Sequence, residues 1–152
     1  VLVIQKPAAP RKTVLPTDPA LDRSDEKALA TAWSEYEKTW DHTKLPVAPG
    51  GRLAVFTVTP LSVPQKKYVD ARGGEEAWEL IAYAITDIDA MTLDKEGHEV
   101  PFQLQREPSP IGLRLPEDVI YWIMSDKDRA VPLVFWARKV CRAHPEVLKS
   151  GS

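Results

Sequence analysis

The side chains able to do chemistry in this chain are few and scattered. The three histidines, His42, His98 and His144, show no HxxxH or HExxH spacing, the pattern that sets two imidazoles on one helix face around zinc. The single cysteine, Cys141, falls in an apolar helical pattern and reads as a small buried hydrophobe. It can form no disulfide within the chain and is compatible with a reducing compartment. Asp87, Asp89 and Asp94 miss the register of a calcium loop; they read as solvated acids at the end of a helix. Gly73-Gly74 lacks the GxxxxGK[ST] spacing, and Glu75 and Glu76 follow where a phosphate needs amides and cations. There is no GxSxG elbow and no GxGxxG fingerprint. The expectation is a protein with no catalytic, cofactor or metal residues, acting by binding. A Cys–His site assembled by the fold is the enzymatic alternative.

Composition narrows the binding partners. A net charge of -2 over 152 residues argues against general nucleic-acid binding, which needs a basic surplus against phosphates. No apolar run reaches membrane-spanning length, and the one in VLVIQKPAAPRK is too short for a secretory signal. Val at position 1 fits a GTG start codon read literally, which leans bacterial or viral. The 43% hydrophobic and 28% charged residues are those of a globular domain with one core. Fourteen prolines against seven glycines, and five tryptophans, point to stiff connections and large buried or interfacial rings.

Binding surfaces need elements to present them. Pro7, Pro10, Pro16 and Pro19 leave no helical period over residues 1–21. This stretch reads as an extended arm. Its apolar tip Val1, Leu2, Val3 and Ile4, and a second anchor, Val14-Leu15, are wasteful on a solvated tail. They are expected to hold a neighbour, in an extended or strand-addition mode. Ser24 or Asp22 can cap a helix from about Asp25, in which Leu29, Trp33, Tyr36 and Trp40 form one stripe. The stripe faces either the core or a partner. RLAVFTVTP, between Gly50-Gly51 and Pro60, reads as a strand. Ser62 and Pro64 open a short helix. Another follows Gly74, with Trp78, Ile81, Ala82, Ile85 and Ile88 as its apolar face.

Leu93–Gly97 reads as a turn, Val100, Phe102 and Leu104 as an edge strand, and Pro108-Ser109-Pro110 as a rigid loop. Ile111, Leu113 and Leu115 read as a third strand. Pro116-Glu117-Asp118 starts a helix. Asp126 or Asp128 starts the last, with Pro132 in its first turn. That helix packs through Leu133, Trp136, Ala137 and Val140, and Pro145 stops it. Its Arg138, Lys139, Arg142 and His144 suit a solvated, dipole-compensating end. The sum is an α+β fold: a small two- to three-stranded sheet packed by four or five helices. The arm 1–21 precedes a single domain, 22–149, and a flexible tail, 150–152.

Three phrases carry a resemblance. VFTVTPLS, LDKEGHEVPF and LPEDVIYWIMSDKDRA follow in the order seen in tail-assembly chaperones and related small proteins of long-tailed bacteriophages. From Val55 onward the chain resembles that group; QLQREPSPIGLRL and the proline-rich arm depart from it. The resemblance implies a non-enzymatic structural or assembly protein of a phage-type particle, in the virion or the bacterial host cytoplasm. Its partners are then other virion or assembly proteins, copies of itself included. Val3, Ile4, Val14, Leu15, Trp33, Tyr36 and Trp40 are the candidate contacts. A transient tail-assembly chaperone is the near alternative. A soluble enzyme or a regulatory adaptor is the distant one.

Overall fold

The structure, a computed structural model, describes residues 5–6, 8–142 and 146–147. The tip Val1–Ile4, with the contact candidates Val3 and Ile4, lies outside the described residues, as do His144, Pro145 and the tail 150–152. In chain order the elements are β1 (Gln5–Lys6), β2 (Arg11–Thr13), α1 (Glu26–Thr39), β3 (Val55–Val58), α2 (Val63–Asp70), α3 (Glu76–Ala84) and β4 (Ile85–Asp89). They continue with β5 (Met91–Leu93), β6 (Glu99–Pro101), β7 (Glu107–Ser109), β8 (Gly112–Arg114), α4 (Glu117–Met124), α5 (Lys127–Arg142) and β9 (Glu146–Val147). The fold is α+β: an antiparallel sheet ordered β2-β3-β4, two hairpins, β5-β6 and β7-β8, and a β1-β9 pair.

The centre is the run from β3 to β4. Phe56 and Val58 point inward from β3 and are fully buried, each stabilising by about 1.5–3 kcal/mol. Ser62 caps α2 in a reciprocal box with Gln65. All six residues of α3 from Glu79 to Ala84 are buried, so its last turn is surrounded on every side. Its terminal carbonyls still find partners: Ala82 O accepts from Leu115 N–H and Ala84 O from Thr59 N–H, both at 2.9 Å or less.

The helix expected to run through Ile88 stops at Ala84, and Ile85–Asp89 is a strand. The cause is the β-branched, alternating sequence ITDID, which pairs with β3. Ile85 and Ile88 stand three apart, odd for one face of a strand. A register shift opposite Thr57/Val58 inserts Thr86 as an extra residue and turns both isoleucines inward. Asp87 and Asp89 are therefore exposed strand residues, not the end of a helix.

The arm boundary at residue 21 is also corrected. β2 pairs with β3, and Val14 and Leu15 are buried in the chain's own core. The buried Asp18 side chain accepts from Ala20 N–H at 2.9 Å and Ala54 N–H at 2.8 Å. This fastens the proline-rich turn to the sheet. Further corrections are local. Asp25, not Ser24 or Asp22, caps α1. Pro108 and Ser109 belong to β7. Leu93 belongs to β5 rather than the turn. Pro132 lies inside α5, beyond its first turn, where it forgoes one helical hydrogen bond.

Two apolar clusters result. The larger joins Leu15, β3, α3, β4, Leu115, α4 and the Leu133, Ala137 and Val140 face of α5. The smaller gathers Val14, Leu21, Tyr36, Leu45, Leu53 and Trp136. Trp40 packs against both. Among the described residues no helix is long and apolar enough to cross a membrane.

Candidate functional site

Among the described residues, those read for chemistry are dispersed by the fold. Cys141 is half-buried on α5, and burial pushes its thiol up from the ordinary range, away from the thiolate form a nucleophile needs. His42 lies in a short turn after Asp41. His98 closes the β5-β6 turn, where Asp94, Glu96 and His98 bring one donor atom each within 4.8 Å of one another. All three are exposed, and Asp94 Oδ1 already accepts from the amides of Glu96 and His98, each at 2.9 Å. That carboxylate holds the turn. Asp89 pairs with Arg52.

The aromatic stripe of α1 turns mainly inward. Tyr36 is buried, and its hydroxyl oxygen accepts from Val14 N–H at 3.0 Å. Burial pushes this phenol up to about 12. Its ring stands edge-on to Trp136, with centroids 5.8 Å apart. Trp33 packs on Tyr36 at 5.0 Å and donates through Nε1 to Glu37 at 2.8 Å. Val14, Leu15 and Tyr36 thus build the chain's own core. Of the stripe, Trp40 reaches the main open groove, while half-buried Trp33 borders a shallower hollow with Pro16 and Leu29.

That groove encloses about 950 Å³. α5 forms its floor through Val131, Val134 and Phe135, and Trp40 stands in its wall. Val131 is 66% and Phe135 58% exposed, a large apolar area for a helix already packed on its other face. The rim is basic, with Arg11, Arg138, Lys139 and Arg142. Arg138 is held by Glu76 at 3.0 Å. Arg11, Lys139 and Arg142 appear in no ion pair among residues whose side chains are described, 8–142. Lys139 Nζ lies 5.2 Å from the Trp136 ring centroid and 5.6 Å from that of Trp40, and Arg11 lies 5.4 Å from Trp40. These rings hold the two cations beside the apolar floor.

Trp40 pays for its position in backbone geometry. It ends α1 in the left-handed region, φ 59°, which costs a bulky residue roughly 1–2 kcal/mol. Packing on Trp136 at 4.6 Å holds it there. Sequence reasoning found the inward face of α5 but missed Val131 and Phe135. The available signal was their four-residue spacing on the other side, which makes α5 apolar on two faces.

Compared with known proteins, the chain matches no family model, no curated protein and no solved structure.

Proposed function

We propose that this chain is a non-enzymatic structural or assembly protein of a bacteriophage-type particle, which works by binding neighbouring subunits. The observation carrying the binding part is the groove on α5: exposed Val131 and Phe135 between cations, walled by a strained Trp40. Apolar centres with a charged rim are how protein–protein contacts are built. The phage setting rests on the order of the VFTVTPLS, LDKEGHEVPF and LPEDVIYWIMSDKDRA phrases.

The groove takes over the role first given to the α1 stripe and the Val14-Leu15 anchor. Mass spectrometry of purified particles and of their assembly intermediates tests the proposal. Recovery in the finished particle at a fixed copy number supports a structural part. Recovery in intermediates alone supports the assembly role of a chaperone. Absence from both overturns the reading.

A further inference from the structure

We infer that the α5 groove receives the β5-β6 hairpin of a second copy of this chain, so that copies join head to tail. The inference rests on reading the groove as a binding surface and adds the identity of the occupant. The groove asks for a narrow element with an apolar centre and negative edges. The hairpin has that chemistry. Leu93 is 63% exposed and Met91 39%; the hairpin also carries exposed Asp94, Glu96 and Glu99 against Lys95 and His98, and Arg52 reaches Met91 Sδ at 3.4 Å from the root. Its main packing is between its own two strands, and Leu93 near its turn stays open to solvent.

The hairpin is also set before contact. Asp94 ties its turn through two amides, and Gly97 takes φ 83°, which the turn requires. Little ordering cost is left for association. At its root Met91 continues into a cleft lined by Phe102, Val119 and Trp122, which extends the apolar contact beyond the tip.

The segment before β2 carries Lys6 and no carboxylate, like the basic groove rim, and its Ala9 already lines the groove. Groove and hairpin share no lining residue, so each copy offers one of each. The contact is heterologous, and it generates a ring or an open row.

Charge-swap sedimentation of the full chain tests this. Wild type should associate as its concentration rises to about 1 mM, the range of a small interface. Lys139→Glu with Arg142→Glu, and separately Glu96→Lys with Glu99→Lys, should each weaken association about ten-fold or more. All four side chains are exposed, and thermal melts should show both variants folded. An equimolar mixture of the two should regain association, because each reversed groove then meets a reversed hairpin. A monomeric wild type, an unaffected hairpin variant or a mixture that fails to recover overturns the inference. Any of these leaves the assembly reading to be judged separately by the particle mass spectrometry.

Discussion

α1 and α5 each carry an aromatic face, and the two faces meet different fates. Tyr36 on α1 and Trp40 at its end pack edge-on against Trp136 of α5, and Tyr36 is buried. On the outer side of α5, Phe135 packs edge-on to Trp136 at 5.4 Å yet stays open, with Val131 beside it. Aromatic content alone therefore does not mark a binding surface. The difference is what else the chain supplies. The turn of residues 14–21 and the segment Leu45–Leu53 cover α1, whereas α5's outer face is bordered, among the described residues, by a basic rim.

The largest expected effect breaks the covered face. Trp136→Ala removes the ring shared by Tyr36, Trp40 and Phe135, and should cost about 3–5 kcal/mol in urea unfolding. A loss below about 1 kcal/mol would mean that the small cluster contributes little. Next is the alkaline limb. The folded state keeps the Tyr36 proton to about pH 12, against an ordinary 10.0. Its contribution is whole below pH 10.0 and is lost as pH rises through about 12, amounting to at most about 3 kcal/mol. Tyr36→Phe should remove that part of the slope, measured as stability against pH beside wild type. Asp18→Ala should follow at about 2 kcal/mol, because the amides of Ala20 and Ala54 lose a charged acceptor. An unchanged melt would show that the turn does not depend on it.

The N-terminal boundary yields a contrast of the same kind. Deleting residues 1–21 removes β2 and buried Val14 and Leu15, so it should unfold the chain. Such a deletion cannot isolate an arm function. Truncation before β2, after Pro10, should leave a cooperative melt.

These contrasts mark where the sequence was legible. Alternation found β3, Ser62 with Pro64 announced α2, and Pro116 with Glu117 and Asp118 announced α4. These signals are local, and they sufficed for the α+β class. The α3–β4 junction was hidden because Ile81, Ile85 and Ile88 also fit a helical period; pairing with β3 and a bulge decided it. Val14-Leu15 was assigned to a neighbour, and the α1 stripe was left open between core and partner. Which surface covers them depends on Trp136, about a hundred residues away, and no local pattern encodes that distance. The groove was illegible for the same reason: Arg11, Trp40 and Phe135 become neighbours only in the fold.

Phe135→Glu tests the open face most directly. With Phe135 58% exposed and its ring edge-on to Trp136, the substitution should cost no more than about 1.5 kcal/mol, leaving the protein folded. In sedimentation it should stay monomeric at concentrations where wild type associates. Association equal to wild type in a folded Phe135→Glu protein would contradict the claim that α5's outer face is the binding surface.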